Sequence, residues 1–347
     1  MLETFLATLT PMLTLFVCII IGFALKKKKI IHDESSKVIA KLLNWVFSPA
    51  LSFSAMARFF TVAAIKEHVT NILLSIAALF LAIILAIILA GVFVRKSSYE
   101  KNVYKYALAF ANSGYMGDPL VDALLGTKAL SYYKIACLPI TLAIYTWGIG
   151  SLVPRDKAKK GGALRRIITP PLVAMLLGMT TGLICGLIVT EIPAGSSAYD
   201  ELFPKFIIKT VDSLKACMGP LAMILAGVTV ANYSISGMFK DKKVYAATAL
   251  RLIVLPTVII GSLFGIKELV NLVFDLSISN TPIILIFFAY ATPLGLNTIV
   301  FPEAYGGNPK TGASMTLISH TLCVITIPIM LALLTALLGA DALNVFR

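Results

Sequence analysis

The sequence has few charged residues and no polar stretch long enough to form a soluble module. Only 14% of its 347 residues are Asp, Glu, Lys or Arg, whereas a soluble globular chain carries about 25%. It also lacks a Walker-type phosphate loop, an H-E-x-x-H helix and a G-x-S-x-G turn. These absences argue against a water-soluble protein, a nucleotide-driven machine and the common hydrolase classes.

Cysteine is scarce, and the excess of positive charge lies in the loops between apolar runs. The five cysteines stand singly within apolar segments with no C-x-x-C spacing, so neither a disulfide framework nor a zinc site is indicated. The net charge of +13 comes from Lys and Arg in short loops between apolar runs. Such residues report the topology of a membrane protein, and nucleic acid is not an expected partner.

Long apolar runs dominate what is present, with 58% hydrophobic residues and a mean hydropathy of +0.90. Each run approaches the roughly 20 residues that a helix needs to cross a bilayer. The sequence therefore predicts an all-α polytopic membrane protein embedded in lipid. The ten predicted spans lie near residues 4–25, 37–58, 69–94, 104–126, 134–153, 169–190, 205–232, 243–266, 281–305 and 311–338.

Alternate loops are basic, which predicts an orientation. Lys and Arg concentrate in the loops at 26–29, 95–105, 155–166 and 240–243. These loops should be cytoplasmic. The loop at 190–205 carries Glu191, Asp200 and Glu201 instead. We therefore expect a multi-pass protein of the cell membrane with both termini outside.

The two halves of the sequence match in order, which indicates an internal repeat. TPML at residue 10 matches TPPL at 169, SPAL at 48 matches GPLA at 219, FAN at 110 matches YAT at 290, and Pro139 matches Pro328. An odd number of spans per unit makes the second copy inverted, as in many secondary transporters. The predicted domains are a five-helix repeat at 1–153, a basic linker at 154–168 and an inverted repeat at 169–347. The simpler alternative is that Pro and Gly are frequent in membrane helices.

Spans four and nine are interrupted near their middles. The interrupting segments are SGYMGDPL at 113–120 and TPLGLNTIVFPE at 292–303. Their Gly and Pro residues leave backbone groups that hydrocarbon cannot satisfy. A discontinuous pair of helices in corresponding positions points to a substrate site, because half-helix N-termini favour an anion. Two proline kinks without a ligand are the alternative.

Amide and hydroxyl groups beside the two interruptions are the candidate substrate ligands. Asn112 and Asn297 can each donate and accept hydrogen bonds, so either can hold a carboxylate without adding charge; both also suit helix capping. The weaker candidates are Ser113, Gly114, Thr292 and Thr298.

Ionisable residues near the interruptions are the candidate coupling groups. Asp118 precedes Pro119, an arrangement typical of a helix N-cap, yet a carboxyl near the midplane also suggests a proton or cation site. Asp122, Glu303 and His320 are the further candidates. No cofactor or metal is expected, and coupling to H⁺ or to Na⁺ stays open.

Three further sets of polar residues receive structural interpretations. His320 has a hydrogen-bonded core histidine as its simpler interpretation. Arg251 is expected to extend its side chain towards the interface, with a substrate-binding or ion-pairing role as the alternative. Lys209, Asp212 and Lys215 are expected to form a solvated helix face.

Two motifs resemble those of a known family. NSGYMGDPL at 112–120 is similar to the first crossover of the auxin efflux carrier family, and TPLGLNTIVFPEAYGG at 292–307 resembles the second crossover of its bacterial, malate-permease-like members. LLNWVFSPAL at 42–51 extends the similarity. Asp118 departs from the pattern, which has an apolar residue there.

The resemblance implies an architecture and a substrate class. It implies ten helices, a scaffold of spans 1, 2, 6 and 7, a mobile transport domain of spans 3–5 and 8–10, and a homodimer that meets through the scaffold helices. It also implies carboxylate substrates. We therefore expect a secondary active carrier of small organic anions that works by elevator-like alternating access. A channel for organic anions and an intramembrane enzyme are the alternatives.

Overall fold

The computed structural model describes residues 2–32, 34–62, 65–95, 98–152, 168–189, 196–232, 241–275, 277–299 and 310–339. These residues are almost entirely helical. The helices are α1 Leu2–Lys27, α2 Ser35–Phe59, α3 Ile65–Phe93, α4 Tyr99–Ala109, α5 Ser113–Ala136, α6 Leu138–Leu152, α7 Pro170–Ile188, α8 Ala198–Leu202, α9 Lys205–Ala231, α10 Lys242–Phe274, α11 Thr281–Ala291 and α12 Lys310–Leu338.

The helices confirm the predicted fold class, an all-α polytopic membrane protein. In the described part of the chain, seven helices are long and apolar enough to cross a bilayer, and the bent pair of α5 and α6 makes an eighth. The ten spans and their inverted order stay a prediction. The predicted boundary between the fourth and fifth spans, from 126 to 134, falls inside α5, where the chain turns at Gly126 (φ 83°) and the helix continues to Ala136.

Two helix pairs pack closely through glycine. Gly22 of α1 and Gly227 of α9 face each other's helix so closely that an added Cβ would overlap a backbone carbonyl of the partner. Gly178 and Gly182 of α7 lie against the backbone of α2 in the same way. Contacts between membrane helices are enriched in small residues, which let the backbones approach closely. We call α1, α2, α7 and α9 the first helix group.

The second helix group consists of α3 to α6 and α10 to α12. Within it, α3 packs on α4, α5, α6, α10 and α11, and α12 packs on α10. The two groups meet where α1 contacts α12 and where α5 contacts α2 and α9. At this boundary Gly219 of α9 lies against the Pro119 ring. Because glycine has no side chain, the two groups approach closely at this point.

Several helices contain a π-helical turn, and proline explains most of them. The turns at Leu43–Phe47, Ser113–Gly117 and Leu250–Val254 each end two residues before a proline. Proline has no N–H and its ring crowds the carbonyl one turn earlier, so the preceding turn widens. Such turns are frequent at functional sites, and each of these three contains a residue discussed below: Asn44, Ser113 or Arg251.

Candidate functional site

The extended segment that follows α4 lies against the segment that follows α11, and we call this contact the crossing. After α4 ends at Ala109 the chain is extended at Phe110, and the Asn112 N–H donates to the Pro293 carbonyl over 2.7 Å. Ala111 and Leu294 form an isolated antiparallel bridge. Gly295 lies so close to the Ala111 carbonyl that a Cβ would be 3.2 Å from its oxygen. The crossing backbones therefore satisfy part of each other's hydrogen bonding.

A cavity of about 130 Å³ lies beside this crossing, between the two helix groups. This is room for about four waters at roughly 30 Å³ each, so it suits a small polar ligand. Five of the predicted site residues line it together: Asn112, Ser113, Gly114, Asp118 and Asn297. The first helix group contributes Asn44, Ser48, Ser52, Thr169, Pro171, Leu172, Met175 and Met218.

Asp118 faces a lysine that the sequence analysis did not select. Its carboxylate, 2% exposed, forms a hydrogen-bonded ion pair with Lys134, which also lines the cavity. The expectation that Asp118 caps a helix is wrong, because its backbone is already helical and no capping hydrogen bond forms. The carboxylate is free to pair with Lys134 because the preceding π turn carries the helix start back to Ser113. The cavity therefore holds a buried pair of opposite charges.

Asn112 is held by His320. The Asn112 Nδ2 and His320 Nε2 atoms are 3.2 Å apart, and His320 Nδ1 lies 2.8 Å from the Thr316 carbonyl oxygen. A ring nitrogen beside a carbonyl must carry the proton, so Nε2 accepts from the Asn112 amide. This arrangement satisfies a neutral imidazole at both nitrogens. His320 thus positions the amide that lines the cavity and is not itself among the lining residues.

The other predicted residues that the structure describes are not among the residues that line the cavity. Thr298 donates its hydroxyl to the Gly295 carbonyl at 2.9 Å, and the Thr292 hydroxyl is buried without a partner among the described residues. Asp122 accepts a hydrogen bond from Thr127 at 2.8 Å. Glu303 and most of the predicted linker lie outside the described residues.

Ion pairs join α9 to α2 of its own helix group and to α5 of the second group. The polar face of α9 is therefore not simply solvated, as the sequence analysis expected. Lys215 lies 3.2 Å from the Asp122 carboxylate and donates to Thr127 at 2.6 Å. Asp212 receives two hydrogen bonds from Arg58 of α2, each 2.9 Å. The Asp122–Lys215 pair crosses the boundary between the groups, whereas the Arg58–Asp212 pair lies within the first group.

Arg251 also differs from the sequence expectation. Its side chain is fully buried between α10, α11 and α12, and does not extend to the interface. The expectation failed because Arg251 belongs to the π turn that packs against α11 and α12, inside the second helix group.

Sequence reasoning missed Lys134 and several polar groups around it. Tyr133 donates its hydroxyl to the Ser113 carbonyl at 3.0 Å, and Tyr115 donates to Asn44 at 3.1 Å. A lone lysine at the edge of an apolar run is easily attributed to the interface. The rule that an ionisable residue within a span suggests function would have selected it.

Comparison with known proteins gives one clear result. A family model described as "membrane transport protein" matches residues 7–331, which is most of the chain. No curated protein matches the chain.

Proposed function

The chain belongs to the membrane transport protein family, and from this premise we propose that it is a secondary active carrier of small organic anions, carboxylates in particular. The family match shows that the protein is a membrane transporter, and the family includes the auxin efflux carriers. The substrate class, the coupling and the elevator-like motion are our proposal. We also propose the inverted five-helix repeats as the basis of that motion.

The observation that carries the substrate class is the position of Lys134 in the cavity. Lys134, Asn112, Asn297 and Ser113 line the same small volume. An ammonium group and two amides can donate several hydrogen bonds to a carboxylate. Such charge-assisted bonds are stronger than hydrogen bonds between neutral groups. The cavity thus suits a small anion better than a cation or an apolar ligand.

The Asp118–Lys134 pair suggests how anion binding is coupled to a proton. When Asp118 is ionised, it occupies the ammonium group that the substrate needs and repels an incoming carboxylate. Protonation of Asp118 removes both obstacles, and the substrate then takes its place beside Lys134. By linkage the anion favours protonation to the same extent. A sodium ion at Asp118 would meet repulsion from Lys134, so we propose proton symport.

The division into two helix groups supports alternating access. The first group would be the scaffold, and the second, which carries the crossing and Lys134, would be the moving domain. The cavity reaches Thr169 and Pro171 at the start of α7, the end to which the basic linker connects. With the topology predicted from charge, this is the cytoplasmic side, so the described state faces inward.

The Asp122–Lys215 pair would close the opposite side in this state. It joins α5 of the moving domain to α9 of the scaffold. Asp122 lies four residues before the predicted outer end of the fourth span, and Lys215 lies in the predicted outer half of α9. A pair that must break in every cycle is expected of a carrier, whereas a channel needs a continuous polar path. A carrier therefore explains this contact better than a channel or an intramembrane enzyme does.

Alanine at either cavity asparagine should weaken substrate binding. Asn297→Ala removes hydrogen bonds to the anion, each of which contributes roughly 1.5 to 3 kcal/mol when one partner is charged, or about 10- to 150-fold in affinity. Asn112→Ala should have the same effect and should also leave His320 Nε2 without its donor. Titration of carboxylate uptake into proteoliposomes measures both. Unchanged apparent affinity in the two variants would exclude the asparagines from the site.

A reversible cross-link between α5 and α9 should arrest transport. In a background without native cysteines, Asp122→Cys and Lys215→Cys would be joined by a short bifunctional methanethiosulfonate, which fixes the moving domain to the scaffold. Uptake should fall to background and return on reduction. The matched control joins Arg58→Cys to Asp212→Cys within the scaffold and should leave uptake unchanged. Wild-type uptake through the cross-linked 122–215 protein would contradict the proposed motion.

A further inference from the structure

Arg251 is a fully buried cation that has no hydrogen-bond partner for any of its three guanidinium nitrogens among the described residues. The Tyr290 ring lies beside it, with its centroid 6.0 Å from the guanidinium carbon. Arginine does not lose its proton in proteins, and an unpaired charge away from water is costly. The guanidinium group therefore requires a counter-charge.

Among the described residues, the buried carboxylate Asp118 and three partly exposed carboxylates are engaged with other cations. Asp118 pairs with Lys134, Asp122 with Lys215, and Asp200 and Asp212 with Arg58. None of these pairs involves the turn that carries Arg251. The counter-charge is thus not supplied by these carboxylates.

Further donors without partners lie on the helices around Arg251. The hydroxyls of Thr248, Tyr290 and Thr316 are buried and have no hydrogen-bond partner among the described residues. Thr248 lies three residues before Arg251 on the same face of α10, and Tyr290 and Thr316 lie on α11 and α12, which pack against the Arg251 turn. A guanidinium group can only donate hydrogen bonds, and each hydroxyl can donate one. A hydroxyl oxygen can also accept, but none of these three accepts from Arg251, so an anion here would find several unused donors.

We propose that Arg251 forms a second anion site, distinct from the substrate cavity, that holds a small inorganic anion of the chloride class. The site lies within the second helix group, between α10, α11 and α12, and Arg251 does not line the cavity. The widened turn at Leu250–Val254 leaves backbone irregularity at this point, as is frequent at functional sites. A bound anion would neutralise the buried charge and stabilise the packing of α10 against α11 and α12. The protein should therefore depend on such an anion for stability.

Chloride is the probe that tests this site. The thermal unfolding midpoint of the purified protein in detergent would be measured as sodium gluconate is replaced by sodium chloride at constant ionic strength. We expect a saturable rise of several degrees in the wild-type protein, because a ligand that binds only the folded state stabilises it. Arg251→Gln should abolish the rise, and Thr248→Val should raise the half-saturating chloride concentration by roughly tenfold.

The matched control is Arg58→Gln, which removes another largely buried arginine whose partners are carboxylates. It should lower the midpoint and keep the full chloride response. If Arg251→Gln cannot be purified, Arg251→Lys keeps the charge with fewer donors and should weaken the response. An equal chloride response in the wild-type and Arg251 variants would overturn the proposal. The proposal would also be overturned if the wild-type protein showed no chloride response and the Glu303→Gln variant showed one. Glu303 would then be the counter-charge of Arg251.

Discussion

Replacing Lys134 with glutamine is expected to abolish measurable carboxylate binding. The change removes the one ammonium group that lines the cavity and with it a charge-assisted hydrogen bond worth roughly 1.5 to 3 kcal/mol. It also leaves Asp118 as an uncompensated buried carboxylate that repels the substrate. The two effects act together, so the loss should exceed that of either asparagine variant. Equilibrium binding of a labelled carboxylate to the purified protein is the measurement.

Loss of folding must be separated from loss of the site in this variant. Breaking a buried ion pair from one side costs about 3 to 5 kcal/mol of stability. The double variant Asp118→Asn, Lys134→Gln removes both charges, so it should fold better than the single variant and still fail to bind. Lys215→Gln is the matched control, since it removes a paired lysine outside the cavity. Wild-type affinity in the double variant would show that Lys134 does not hold the substrate.

Replacing Asp118 with asparagine is expected to uncouple transport from the pH gradient. The neutral amide mimics the protonated acid and leaves Lys134 available to the anion at every pH. With one proton per monoanion, each pH unit across the membrane supports about tenfold accumulation in the wild-type protein, or about 1.4 kcal/mol. The variant should bind substrate, exchange it across the bilayer and accumulate none in response to the gradient. Uptake into proteoliposomes with an imposed pH difference measures this.

The sign of the pH effect follows from the same arrangement. Because protonation of Asp118 favours the anion, wild-type affinity should increase as pH falls, and Asp118→Asn affinity should stay constant. Asp212→Asn is the control, because this carboxylate pairs with Arg58 within the first helix group and does not line the cavity. If Asp118→Asn keeps wild-type accumulation, then Asp118 only neutralises Lys134, and the coupling group must be another carboxyl, such as Glu303.

Hydropathy was sufficient to find most of the helices. The first span, predicted at 4–25, is α1 at Leu2–Lys27, and the last, predicted at 311–338, is α12 at Lys310–Leu338. Long apolar runs leave the chain few alternatives in lipid. The predicted start of the fifth span, at 134, is too late because Thr127 and Lys128 lower the local hydropathy. The helix already continues there after the turn at Gly126. A single backbone dihedral angle decides that boundary, and no average over a window contains it.

The candidate site was only partly visible in the sequence. The interruptions pointed to Asn112, Ser113, Gly114, Asp118 and Asn297, which do line one cavity. The charge partners were not visible, because pairs such as Asp122 with Lys215 depend on helix contacts far apart in the chain. Burial of Arg251 likewise depends on packing by α11 and α12. Periodicity describes a single helix, and these pairs are properties of the assembled bundle.

Counterflow in proteoliposomes tests the central claim, that this protein is a carrier of small organic anions, most directly. Vesicles loaded with a high concentration of an unlabelled carboxylate would be diluted into a trace of the same labelled compound, with malate and a panel of other mono- and dicarboxylates. We predict a transient accumulation of label above its external concentration, because a carrier exchanges bound substrate, and no such overshoot in the Lys134→Gln protein. Absence of an overshoot with every carboxylate in the panel, from protein that is folded and inserted, would contradict the proposed function.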